Sequence, residues 1–311
     1  MDREKPKGLT TSESSPRPIQ WTRAEDQFCS LPTRRRIHMP IQRLTLVVLA
    51  AFSLLSCDEK TPPTSPPVQY PEQIDSTILI TPSESLFTDS RALIWNCRTE
   101  RMYGCINEII ASFVSRAGSV VRVYFQGIYS DGPCFTAGGP ATCHIDLGEL
   151  PAGHYSVEFV SRTGTTKVDL LVEEDAYVIQ SISGQSVSFD FPVLRRIPNG
   201  TIWGLIGYLS PLPPPVDEPF LDSLATLGAQ PTNLAPGEYG AFRIDSTGTM
   251  QWPGINGFYH ALPYVRSYGG PSEPLREMVK FFGKTQSDRS DITLYTWRGE
   301  VYRSWVLATE P

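Results

Sequence analysis

Between residues 75 and about 174, apolar and polar positions alternate with a period of two. In residues 119–125 the positions Val121, Val123 and Phe125 share one face. In residues 154–160 Tyr155, Val157 and Phe159 do so, and in residues 167–172 Val168, Leu170 and Val172 do so. Successive side chains of an extended chain point to opposite faces, so this spacing predicts half-buried strands. Residues 77–80 and 92–95 add two more. Residues 106–114 fit a helix or a strand by period alone. Their β-branched residues and the turn at Gly118 assign them to a strand.

After residue 176 the pattern changes and helical spacing enters. Phe220, Leu224 and Leu227 recur on one face of a segment opened by Asp217-Glu218-Pro219 and ended by Gly228. Leu275, Met278, Val279 and Phe282 recur in a second segment, opened by Ser272-Glu273-Pro274 and ended by Gly283. An Asp or Ser cap, an early proline, an acidic first turn and a terminal glycine are the marks of helix ends. The two segments align without gaps at an offset of 55, with Glu218/Glu273, Pro219/Pro274 and Gly228/Gly283 identical. Each is followed by a predicted hairpin, the first leading to Trp252 and the second to Trp305. A duplicated α-β-β unit is the expectation. The fold class expected is mainly β plus α+β, with a β-sandwich over 75–175 and an α+β domain over 176–311.

The opposite end of the chain carries a different pattern. Leu44 to Leu55 is an unbroken run of 12 largely apolar residues behind Arg34, Arg35, Arg36 and Arg43. A membrane-spanning helix needs about 20 apolar residues, whereas a run of 7–15 behind basic residues is the grammar of a signal peptide. The run closes on Leu54-Leu55-Ser56-Cys57, which resembles the lipobox of bacterial lipoproteins, Leu55 being larger than usual at its position. That resemblance implies cleavage before Cys57, diacylation of its sulfur and attachment to a membrane of the bacterial cell envelope. Residues 39–56 are then the signal peptide, and 1–38 read as an extension upstream of a start at Met39. Residues 57–74 form a proline-rich linker, extended by composition. Asp58 after the cysteine resembles both an inner-membrane retention signal and a surface-export signal. The choice of membrane and of side stays open.

A second resemblance lies in Leu147-Gly-Glu-Leu-Pro-Ala-Gly-His-Tyr155. A Leu-Pro-x-Gly-x-Tyr turn before an inward-facing strand is similar to the one closing many immunoglobulin-like modules of secreted bacterial proteins. It implies an immunoglobulin-like sandwich for 75–175 and no particular activity.

Charge sharpens the picture once the signal is set aside. Residues 57–311 carry 18 Lys and Arg against 28 Asp and Glu, a net of −10. Phosphate backbones need a basic face, so nucleic acid is a poor partner. Four cysteines remain after Cys29 and Cys57: Cys97, Cys105, Cys134 and Cys143. An even number in an exported chain reads as two disulfides. Of three possible connectivities, Cys97–Cys105 with Cys134–Cys143 closes the shortest loops and is preferred.

Catalytic motifs are missing: there is no Gly-x-Ser-x-Gly, His-Glu-x-x-His, phosphate-binding glycine loop or calcium loop. No catalytic residue and no cofactor is assigned. His144 and Asp146 alternate outward on one expected strand, and His154 and Glu158 on the next. If those strands form a hairpin, the four groups share a face and become weak metal candidates; period-two alternation already demands polar residues there, so no metal is assigned. Asp245 and Glu300 are an imaginable carboxylate pair, although turn chemistry accounts for Asp245. The C-terminal half is rich in aromatics: Trp203, Trp252, Trp297 and Trp305, with Phe258, Tyr259, Tyr264 and Tyr268. Such rings build cores, stack on sugars or anchor protein interfaces. Phe258, Tyr259, Tyr264 and Tyr268 flank glycine-containing loops and are the binding candidates. The functional expectation is a non-catalytic, lipid-anchored envelope protein binding a protein or glycan partner through residues 176–311. The alternatives are an envelope hydrolase using carboxylates of that region, or a structural spacer.

Overall fold

A computed structural model describes residues 72–310, apart from 131, 135–136, 212–214, 254–256 and 287–288. The N-terminal extension, the signal peptide, Cys57 and the linker up to residue 71 lie outside the described residues. The described part is mainly β, with large sheets and few helices.

In chain order the first strands are β1 (Ile78–Leu86), β2 (Arg91–Tyr103), β3 (Glu108–Ala117), β4 (Val120–Ser130), β5 (Gly139–Asp146), β6 (Gly153–Ser161) and β7 (Gly164–Val172). There follow β8 (Ala176–Ser183), β9 (Val187–Phe189), β10 (Val193–Arg195) and β11 (Thr201–Tyr208), then helix α1 (Asp217–Thr226). Next come β12 (Gln230–Pro231), β13 (Gly237–Glu238), β14 (Arg243–Ile244), β15 (Met250–Gln251) and β16 (His260–Ser267). The chain closes with α2 (Ser272–Gln286), β17 (Ser290–Thr296), β18 (Val301–Arg303) and the short α3 (Ser304–Leu307).

The strands form two sheets. The larger has the order β15-β14-β13-β10-β8-β7-β6-β4-β3-β5-β2-β1-β9 and the smaller the order β12-β16-β11-β17-β18. Residues 106–114 fall largely in β3, as their β-branched content predicts. The larger sheet curls over on itself. β6 and β2 stand four strand spacings apart, roughly 19 Å along a flat sheet. Yet the rings of Trp95 on β2 and Phe159 on β6 lie 5.2 Å apart, and Phe189 on the terminal strand β9 touches both. The sheet therefore wraps one core in which Trp95, Phe159, Val123, Val157 and Leu170 are all buried. Period-two alternation is what makes this possible, as the burial of β7 shows: every second residue from Thr166 to Val172 is inside.

One loop crosses between the layers instead of turning back. Leu147 and Leu150 are buried in the core, so the chain after β5 is pulled through the interior. β5 pairs with β2 and touches β3, while β6 pairs with β4 and β7. The expected hairpin between the His144 and His154 strands does not form.

Two turns share one geometry. Tyr155 Oη donates to Pro151 O at 2.8 Å, and Tyr239 Oη donates to Ala235 O at 2.9 Å. Gly153 and Gly237 supply φ of 151° and 149° two residues before each tyrosine, where a side chain would be strained. The second turn, Leu234-Ala-Pro-Gly-Glu-Tyr239, shares the leucine, glycine and tyrosine positions of the first, with its proline shifted by one and Glu238 in place of His154.

In the smaller sheet, all eight residues of β11 are buried. Both faces are covered: Ile202 and Ile206 pack with Phe220 of α1 and Leu275, Val279 and Phe282 of α2, while Trp203 packs with Phe242 and Met250. The helix ends differ in part from expectation. α1 has Val216 as its N-cap, without a side-chain cap. The Tyr208 hydroxyl takes that role, accepting from the Val216 and Asp217 amides at 3.2 Å and donating to Asp217 Oδ1 at 2.7 Å. α2 runs through Gly283 instead of ending there. A Cβ at Gly283 would collide with the Ser304 carbonyl, so this glycine permits the close crossing of α2 and α3.

The cysteines pair differently from the short-loop preference. Cys105 and Cys134 form a disulfide with Cα atoms 5.3 Å apart, and Cys97 and Cys143 are free thiols. The cause is the β3–β4 hairpin, whose outermost rung Glu108–Ser130 brings the flanking loops together. Contact across a hairpin, and not distance along the chain, sets the pairing.

Candidate functional site

A cleft of about 280 Å³ opens on the face of the smaller sheet away from α1 and α2. Leu205 of β11, Asp291, Thr293 and Tyr295 of β17, and Arg303 of β18 form its floor and side. Trp252, Phe258 and Trp305 complete it. Period two explains the floor: Asp291, Thr293 and Tyr295 point to the cleft, while Ile292 and Leu294 point into the helix-facing core. Gly207 explains the wall, since a Cβ there would meet the Phe258 ring, and glycine lets that ring lie against β11. Trp252 and Trp305 follow β15 and β18, the closing strands of the two hairpins seen in the sequence.

The rings are graded in exposure. Tyr239 stacks on Phe242, Phe242 lies beside Trp203, Trp203 stacks on Tyr295 and Tyr295 meets Trp252, with centroids 5.0–5.8 Å apart. This row starts in the cluster that joins the two sheets and ends in the cleft. Trp203 is buried, Trp252, Phe258 and Tyr295 are half-buried, and Trp305 is 56 % exposed.

Two charged groups sit among these rings. Asp291 accepts from Ser304 Oγ at 3.0 Å, and Ser304 Oγ accepts the Ile292 amide at 2.8 Å. The hydroxyl thus spends its one proton on the carboxylate and fixes its orientation. Burial pushes the Asp291 carboxyl above its ordinary range, while Ser304 and Arg303 pull the other way. The Arg303 side chain is on the cleft wall and largely in solvent. Flat apolar faces beside a fixed carboxylate and a guanidinium suit a ligand with one apolar face and a hydroxylated edge.

The carboxylates singled out in the sequence do not line this cleft. Asp245 is held in its own turn by Thr247, Thr249 and Gln251, which bring it down to about 2. Glu300 accepts from Ser272 Oγ and Thr296 Oγ1 at 2.6 and 2.7 Å, tying the β17–β18 turn to the start of α2. Among the described lining residues Asp291 is the one carboxylate, and glycoside hydrolysis ordinarily uses two.

The histidine and acid set is dispersed. His144 Nδ1 bonds Asn96 Oδ1 at 2.7 Å, and Asp146 accepts the Gly148 amide at 2.7 Å. Glu158 is bound by Arg122 and Lys167, and Arg122 draws its carboxyl below the usual range. His154 is exposed on a strand that does not pair with that of His144. Among the described residues no group of three or more such side chains converges for an ion. Of the aromatic candidates, Phe258 lines the cleft and Tyr259 is 72 % exposed. Tyr264 and Tyr268 are buried, their hydroxyls donating to Thr293 O and Pro271 O. Asp291, Thr293, Tyr295 and Arg303 were not singled out from the sequence. The alternation of residues 291–295 was readable, but not which of its faces stays open.

No protein-family model, curated protein or solved structure matches the chain.

Proposed function

We propose that this protein is a lipid-anchored component of a bacterial cell envelope that binds a glycan, without catalysis, in the aromatic cleft of its smaller sheet. The observation that carries the binding reading is the meeting of Trp252, Phe258, Tyr295 and Trp305 around Asp291 and Arg303. Indole and phenyl faces stack on the apolar faces of sugar rings, and the two charged groups are placed to take hydroxyls. The cleft lies just below the 300–1,000 Å³ usual for small-molecule sites, which suits one ring of a glycan chain. The test is a glycan array probed with the full chain in detergent, followed by titration of the Trp305→Ala variant. Binding to a defined glycan that weakens about tenfold in the variant is expected, as for the loss of an aromatic anchor. Silence across the array, with capture of an envelope protein instead, sinks the glycan reading.

The anchor rests on the lipobox-like Leu54-Leu55-Ser56-Cys57 and the basic, apolar run before it. Two acyl chains on one cysteine give stable membrane attachment. A Cys57→Ser protein should leave the membrane fraction, and its retention there would contradict the anchor.

Two finer features of the fold belong to the same proposal. An immunoglobulin-like module over 75–175 is supported by the Tyr155 corner and by one core enclosed by facing strands. An experimental structure whose strand connections depart from that module would overturn it. A duplicated α-β-β unit is supported by the offset of 55 and by the convergence of Trp252 and Trp305 on one cleft. Against it stands the assignment of β14–β15 to the larger sheet and β17–β18 to the smaller. Relatives whose two segments resemble each other more closely would support duplication, and relatives lacking the shared positions would count against it.

A further inference from the structure

Cys97 and Cys143 were left without a role by the disulfide at Cys105–Cys134, and their placement is specific. They are direct partners across the antiparallel β2–β5 pair. Directly opposed residues in such a pair have Cα atoms about 4.5 or 5.5 Å apart, according to the hydrogen-bonding of the rung. Both spacings lie within the 4.4–6.8 Å that a disulfide spans. The two thiols are in side-chain contact, and Cys97 also lies 3.7 Å from Trp95 O.

Their surroundings are unequal. Cys97 is 2 % exposed and belongs to the core around Trp95. Cys143 is half-buried and lines a depression of about 540 Å³ with Ile109, Ser112, Gln126, Tyr129 and His144. The Ser112 hydroxyl hydrogen-bonds Cys143. Cys143 is therefore the more accessible of the pair, on the lining of the depression, and Cys97 is the one enclosed by the core.

We infer that Cys97 and Cys143 form a dithiol exchange site, in which Cys143 meets a small external disulfide and Cys97 resolves the product into a cross-strand bridge. The Cys143 thiolate attacks one sulfur of the external disulfide RSSR and expels RS⁻, which takes up the proton released by Cys143. Cys97 then loses its proton, its sulfur attacks Cys143 Sγ, and a second RS⁻ leaves and is protonated. Two protein thiols give up two electrons, and RSSR is reduced to two RSH. The contrast in acidity agrees with this order. Hydrogen bonds from Cys97 and Ser112 draw the Cys143 thiol down, whereas the contact with Cys143 and burial hold the Cys97 thiol up. The inference does not depend on the glycan reading.

The experiment uses the full chain, purified without reductant. It is denatured, alkylated, digested and mapped by mass spectrometry, before and after native incubation with oxidised glutathione. The expected result is a Cys97–Cys143 linked peptide after incubation, with loss of both alkylated thiols and an upward shift of the thermal midpoint. Cys97→Ser should stop at one glutathione on Cys143. Cys143→Ser should leave Cys97 without adduct or partner. Full alkylation of Cys97 and Cys143 in the incubated wild-type protein would overturn the inference, as would a link from either to Cys105 or Cys134. The wild-type map decides the matter even if a variant fails to fold.

Discussion

The molecule holds two aromatic groups of similar packing and different fate. In the larger sheet Trp95, Phe125, Phe159 and Phe189 meet at centroid distances of 5.2–6.2 Å, the first three closed off from water by the curled sheet and Phe189 half-buried at its terminal strand. Against the smaller sheet, Trp203 and Tyr295 of its strands meet Trp252, which follows β15, at 5.6–5.7 Å, but their row runs out into a cleft edged by Asp291 and Arg303. Ring spacing does not separate a core from a site. The separating features are a second layer over the first group, and a charged edge with a 56 % exposed tryptophan beside the second. Aromatic content alone marks neither.

Substitutions sharpen that contrast, and the greatest loss is expected inside the larger sheet. Trp95→Ala should lower the stability of unfolding by about 3–5 kcal/mol, measured by denaturant titration, because a filled core becomes a cavity. Glu84→Ala should cost about 3 kcal/mol. The Glu84 side chain is fully buried and binds Arg91, Arg196, Tyr177 and the Ile197 amide, so its loss removes the carboxylate paired with both guanidinium groups and leaves them neutral partners, the Ile197 and Glu173 carbonyls and Asn199. Gly283→Ala should cost about 1–3 kcal/mol by forcing α2 away from α3. Trp305→Ala should change stability by no more than about 0.5 kcal/mol while weakening ligand binding about tenfold. A loss of several kcal/mol from Trp305→Ala would instead make the cleft rings part of the core.

The smallest effect is one of sign, and it separates two carboxyls. Hydrogen bonds depress Asp245 to about 2, so its contribution to stability is complete above the ordinary carboxylate range and is lost as pH falls through about 2. Burial raises Asp291, so its effect runs the other way: stability falls as pH rises from about 4, the ordinary range, through the raised value. Asp245→Asn should weaken the acid-side loss, and Asp291→Asn should remove the fall on raising pH. Thermal melts across pH 2–7 would read both. Identical profiles for Asp291→Asn and the wild type would show that its carboxyl is not desolvated.

Much of the fold was legible because burial follows short-range rules. Alternation placed β4, β6 and β7, and the spacing of Phe220 and Leu224, and of Leu275, Val279 and Phe282, placed α1 and α2. Features set by contacts distant in sequence were not legible. The Cys105–Cys134 pair needed the β3–β4 hairpin, and the crossover after β5 needed Leu147 and Leu150 to reach the core. Gly283 reads as a helix stop until Ser304 is seen against it. The second tyrosine turn, at Leu234 to Tyr239, was readable from the first and escaped through its shifted proline. In the cleft, Phe258 and the two tryptophans stood among the aromatic residues already noted. Asp291 and Arg303 acquire meaning only when β17 and β18 lie side by side.

The most direct measurement is the affinity of the intact protein for an array-selected glycan, compared with that of the Trp252→Ala/Trp305→Ala variant. The cleft reading requires a loss of at least about tenfold with both proteins equally folded. Equal affinities, or no glycan bound by the wild-type chain, would contradict it.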